Sequence, residues 1–99
     1  VTKMKPIPNQ SLVGLDNFTR KPDDEAQLND LFQSVFKQPN GKQVLEYLKS
    51  ITIEAVAGSE ITDSALRHLE GQRYLVGLIQ RRTNKGLSQN IVKEKLNVR

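Results

Sequence analysis

Apolar residues recur at helical spacing in three successive stretches of this 99-residue chain, and this rhythm decides the fold class. In the first, Leu28, Leu31, Phe32, Val35 and Phe36 follow i, i+3, i+4, i+7 and i+8, one stripe with the α period. Pro22 and Asp23 open that helix. Asp23 or Asp24 can accept its orphan N–H groups, and Pro39-Asn40-Gly41 closes it with turn chemistry. In the second, Val44, Leu45, Leu48, Ile51, Thr52 and Ala55 share a face up to Gly58-Ser59. The β-branched run Ile51-Thr52-Ile53 weakens helix propensity, yet the period favours helix to its end. In the third, Ser59 or Thr62 supplies the N-cap. Ala65, Leu69, Gln72, Val76 and Ile79 form one stripe there, and His68, Gly71, Leu75 and Leu78 the adjacent one. Two stripes predict a central helix covered from two directions. Arg81 and Arg82 suit its C-terminal dipole, and Asn84-Lys85-Gly86 reads as its stop.

The sequence thus predicts one all-α domain, a small helical bundle or helical hairpin with extended N- and C-terminal arms. Helices are expected over 24–38, 42–57 and 62–84 within a body of residues 23–86. Residues 1–22 read as an extended basic and apolar arm, because Pro6 and Pro8 hold the chain away from helix. Its Ile7, Leu12, Val13, Leu15 and Phe18 are too apolar for an inert linker, so this arm should lie on a surface. Residues 87–99 read as a basic tail, with Ser88 able to cap a short helix carrying Ile91, Val92 and Leu96.

Charge separates along the chain. Residues 1–21 carry +3, residues 22–80 carry −4 and residues 81–99 carry +5, within a net of +4. Basic ends around an acidic middle suit contact with phosphate or acidic protein surfaces. Apolar residues make up 36% and aromatics 5%, so the core must be small and aliphatic, and its stability should depend partly on assembly. With no cysteine and one histidine, the chain has no disulfide framework, thiolate zinc site or multi-histidine metal site, and no metal or cofactor is expected. No apolar run is long enough to span a membrane, and the first residues lack a signal-peptide pattern. The expectation is a soluble protein inside a cell, or part of something assembled there.

Catalysis is not expected. His68 and Glu70 are two apart on a helix and point in different directions. No nucleophile elbow or phosphate loop accompanies them. Asp23, Asp24, Glu25 and Asp30 cluster without a calcium-loop spacing, and helix capping explains them. Gly71 is the oddity, because glycine inside a helix costs about 1 kcal/mol relative to alanine. Its place on an apolar stripe predicts close packing against another backbone. Arg81, Arg82 and Lys85, with the tail, form a basic patch lacking the amides of a base-reading helix and the aromatics of a stacking platform. Non-specific phosphate contact stays open.

Phe36, the stretch Gly41-Lys42-Gln43-Val44-Leu45-Glu46-Tyr47-Leu48, and the segment Leu66-Arg67-His68-Leu69-Glu70-Gly71-Gln72-Arg73 followed by Leu75-Val76 and Leu78-Ile79 come in a familiar order. From Phe32 to Arg82 the chain resembles a family of small tailed-bacteriophage virion proteins, typically encoded among capsid, portal and tail genes. That resemblance implies a structural role at or near the portal and head–tail joint, in multiple copies, in a virion assembled in the host cytoplasm. Portal, capsid or tail proteins of the same particle would be its partners, with self-association and non-specific contact with packaged DNA. An adaptor, a capsid decoration and an ejected internal protein all fit. Protein-interface anchors would be Ile7, Leu12, Phe18, Phe32, Phe36, Leu48, Gly71, Arg73 and Val76. Arg81, Arg82, Lys85, Lys93, Lys95 and Arg99 would meet nucleic acid or acidic partners. The alternative is a small nucleic-acid-binding or regulatory protein.

Overall fold

A computed structural model describes residues 11–97. The predicted all-α class stands, with one small addition. Two short antiparallel strands, β1 (Leu12–Val13) and β2 (Thr19–Arg20), form a hairpin in register Leu12↔Arg20 and Val13↔Thr19. Three helices follow: α1 (Pro22–Phe36), α2 (Pro39–Ser50) and α3 (Asp63–Asn97). The apolar arm expected at the N-terminus therefore folds back, from residue 12 onward, onto its own body. Its turn places Asn17 in the left-handed region at φ 71°, and the Asp16 carboxylate accepts from the Phe18 N–H at 3.0 Å.

Helix boundaries differ from the sequence reading in three places, each for a local reason. α1 begins at Pro22, but its N-cap, Lys21, makes no side-chain cap, and Glu25 in the first turn is drawn to arginines instead. α2 starts two residues earlier than Gly41, on Pro39 at its first position, and ends at Ser50 rather than near 57. The β-branched run does break the helix, and Arg73 takes up carbonyls it frees, donating to Thr52 O at 2.9 Å and Ala55 O at 2.6 Å. α3 does not stop at Asn84-Lys85-Gly86; residues 87–97 continue it without a break. Its N-terminus is as predicted, with Thr62 Oγ1 accepting from the Ala65 N–H at 3.2 Å.

Gly86 is a crossing point, not a stop. A Cβ there would collide with the Asn29 carbonyl of α1, so α1 and α3 approach backbone to backbone. Gly71 is the reverse case. The close packing expected of it does not occur among the described residues, since beyond its own helix backbone no atom lies within 4 Å of where its Cβ would be.

α3 dominates the shape. Its 35 residues span about 52 Å at 1.5 Å per residue, close to the longest molecular extent of 55 Å. The radius of gyration is 17.4 Å, against roughly 13 Å for a compact chain of this length. The interior is correspondingly thin. Among the described residues, Val76 is the one buried hydrophobic side chain, at 6% exposure. The other buried side chains are polar or charged: Glu25, Asn29, Gln33, Thr52, Arg82 and Thr83. Phe32 and Phe36 stack with ring centroids 6.2 Å apart but remain half-buried.

Candidate functional site

Among the described residues, a connected cluster of charged and polar side chains forms a latch joining the hairpin, α1 and α3. Arg82 of α3 is 2% exposed and donates to Glu25 Oε2 at 3.0 Å and Asn29 Oδ1 at 2.8 Å, with Asp16 Oδ2 at 3.3 Å. Arg20 grips Asp16 with two nitrogens, at 3.0 and 2.9 Å, and reaches Glu25 Oε1 at 2.6 Å. The Leu15 N–H completes the shell, donating to Glu25 Oε2 at 3.0 Å. Two guanidinium groups thus meet two carboxylates, and the buried charge balances. Gly14 permits this closeness, because a Cβ there would run into the Glu25 carboxylate and the Arg20 side chain.

The electrostatics follow from that geometry. The hydrogen bond from Arg20 holds the Asp16 carboxyl well below the usual carboxylate range, against the opposing effect of desolvation. Burial pushes Glu25 upward as the largest single influence. The Leu15 N–H, Arg82 and Arg20 together outweigh it, so its value lies below the ordinary one. Arg20 is held more firmly protonated by Asp16 and Glu25. Beyond the latch, Gln89 bridges the same two helices. It accepts from Asn29 Nδ2 at 2.9 Å and donates to Ala26 O at 3.1 Å, while Lys93 reaches Asp30 at 3.4 Å.

This arrangement corrects one predicted site residue. Arg82 is spent inside the subunit and presents nothing to DNA or an acidic partner. Its neighbour Arg81 is exposed, as are Lys85, Lys93 and Lys95, and Arg99 lies outside the described residues. Lys93 keeps 65% of its side chain exposed while paired to Asp30. Among the residues expected at protein interfaces, Val76 is core and Arg73 ties the 51–57 loop to α3 while pairing with Glu70 at 2.5 Å. Phe32, Phe36 and Leu48 are half-buried, Leu12, Phe18 and Gly71 are exposed, and Ile7 lies outside the described residues. His68 is exposed, 3.2 Å from Gln72 and apart from the latch. The described residues hold no group of three or more His, Cys, Asp or Glu side chains placed to bind a metal. No helix among them is long and apolar enough to cross a membrane.

Sequence reasoning missed the latch. Asp16, Arg20, Glu25 and Asn29 lie 53 to 66 positions from Arg82, and their types alone fit capping and solvation equally well. The available signal was the pair of glycines, Gly14 and Gly86, that flank it.

Outside the latch, large apolar side chains stand in solvent. Val56 is 95% exposed and Phe18 70%, with Tyr47, Leu75, Val13, Leu31 and Val35 all above half. Among the described residues the interior is mostly polar and the large apolar side chains lie on several faces of the surface. A family model for a Bbp19-like phage protein matches residues 32–95, and the chain belongs to that phage protein family. No curated protein and no solved structure matches it.

Proposed function

We propose that this chain is a non-enzymatic structural component of a tailed-phage virion, at or near the portal and head–tail joint. It is present in multiple copies, and its ends contact neighbouring subunits or DNA. The observation that carries this reading is the inversion of the subunit, polar within and apolar without. A protein working alone gains nothing from leaving Val56, Phe18 and Tyr47 in water. Membership in a phage protein family supports it.

The experiment is sedimentation of a lysate from the native source, with the gradient probed for this chain. Recovery with a megadalton particle after high-salt and nuclease treatment is expected. Recovery solely at the top of the gradient would overturn the proposal. A nucleic-acid-binding protein is the second reading, favoured by exposed Arg81, Lys85 and Lys95 along the C-terminal half of α3. It requires that the isolated chain bind duplex DNA tightly, with log K falling by ~0.9 per log unit of salt for each phosphate neutralised.

A further inference from the structure

We infer that the C-terminal half of α3 lies along the phosphate backbone of duplex DNA, without sequence preference, on the strip formed by Arg81, Lys85, Ser88, Val92 and Lys95. The strip is what remains once the subunit has used its own charges. Residues 81–97 hold five bases. Two are paired inside the subunit, Arg82 in the latch and Lys93 with Asp30 at 3.4 Å. The other three, Arg81, Lys85 and Lys95, are exposed and make no ion pair among the described residues. At about 100° per residue these three fall within about 80° of one another, on the side of α3 away from buried Thr83 and Gly86. Glu94, the one carboxylate in this half of α3, lies about 140° round from the middle of the strip.

Charge selects a polyanion. The strip has no acid of its own, whereas in the N-terminal half of α3 Asp63 and Glu70 offset Arg67 and Arg73. Shape and composition then select duplex DNA. Arg81 to Lys95 spans about 21 Å of continuous helix. Duplex DNA carries one negative charge per about 1.7 Å of its axis, so a row of that length runs beside about 12 charges. A single strand is held by stacking on aromatic rings, and residues 81–97 contain none. A contact between proteins centres on apolar side chains and disfavours lysine, whereas Val92 is the one aliphatic residue on the strip. Contacts from arginine and lysine to phosphate position a protein on the duplex without reading its sequence.

The inference rests on the reading that the ends of the chain contact neighbouring subunits or DNA, and it assigns DNA to this end. It differs from the nucleic-acid-binding reading in strength. Three phosphate contacts hold a single chain weakly, and copies fixed together in a particle add their contacts on one duplex. Its failure is separate from that of the particle reading. A chain that sediments with the particle but ignores DNA in isolation loses this contact and nothing else.

The test is fluorescence anisotropy of the purified chain with a labelled mixed-sequence duplex of about 30 base pairs, read against salt. Binding is expected at about 20 mM salt, with log K falling by at least ~2.7 per log unit of salt, ~0.9 for each of three phosphates. Arg81→Gln, Lys85→Gln and Lys95→Gln should each make that slope shallower by ~0.9. Lys42→Gln, exposed on α2, should leave it unchanged. A duplex of unrelated sequence should bind equally, and poly-L-glutamate should displace the chain poorly. No binding at about 20 mM salt with about 100 μM chain would overturn the inference. So would an equal effect of Lys42→Gln, or tighter binding to a single strand of the same length. Displacement by poly-L-glutamate as effective, charge for charge, as by unlabelled duplex would also overturn it and assign the strip to an acidic protein. The substituted residues are exposed, and thermal melting of each variant separates loss of contact from loss of fold.

Discussion

The two halves of α3 live in different surroundings. From about residue 79 to 93 it is clasped by α1 and the hairpin, with Arg82, Thr83 and Gly86 buried. From residue 63 to 75 almost every side chain is exposed, and the main tie to the body is Arg73 on the 51–57 loop. One helix thus combines a segment held by the rest of the chain with a segment that the described residues leave mostly uncovered. The lesson concerns what holds a small subunit together. Here specific polar contacts replace the aliphatic core that the composition could not supply, and many large apolar residues stay at the surface.

Breaking the clasped half should produce the largest effect. Arg82→Met leaves Glu25 and Asp16 without their buried partner and should cost about 3–5 kcal/mol of unfolding free energy. Urea denaturation followed by circular dichroism measures it, and a loss below about 1 kcal/mol would show that the latch is peripheral. Gly86→Ala comes next. Alanine improves helix propensity, but its Cβ would strike the Asn29 carbonyl, so a net loss of about 1–3 kcal/mol is expected. A rise in Tm would show that the two helices separate without penalty.

Acid weakens the same half with a defined sign. Asp16 and Glu25 have folded-state values below their ordinary ones, so their stabilising effect is complete above about pH 5. It is lost as the pH falls from about 4 through the folded values. The urea midpoint should therefore drop on acidification in the wild type and drop less in Arg82→Met. Equal slopes would place the titration elsewhere. The smallest effect sharpens the contrast from the open side. Gly71→Ala meets no neighbour and should stabilise the isolated chain by about 0.5–1 kcal/mol, the opposite sign to Gly86→Ala.

These paired glycines also show what was legible in the sequence. The Thr62 cap is a local signal and lies where local rules put it. The stripe from Leu28 to Phe36 marks a helix but not its buried face: Leu31 and Val35 are exposed, and Glu25, Asn29 and Gln33 turn inward. Gly86 misleads, because a glycine admitting a second backbone looks the same in sequence as one ending a helix. Arg81 and Arg82 illustrate the harder limit. They differ by one turn-fraction of about 100°, which sends one to solvent and the other into the latch. Which one turns inward depends on a hairpin more than sixty residues away in the chain. The break after Ser50 lies between these cases. The β-branched run was visible, but Arg73, which receives the freed carbonyls, was not.

Native-state hydrogen exchange on the dilute chain, below any self-association, tests the division most directly. Slow exchange is expected for amides of α1 and for residues 79–93 of α3, with protection approaching the global unfolding free energy. Amides of residues 66–74 should exchange orders of magnitude faster, through local opening. Equal protection along the whole of α3 would contradict the division, since it would mean that the exposed half needs no partner to be held in place.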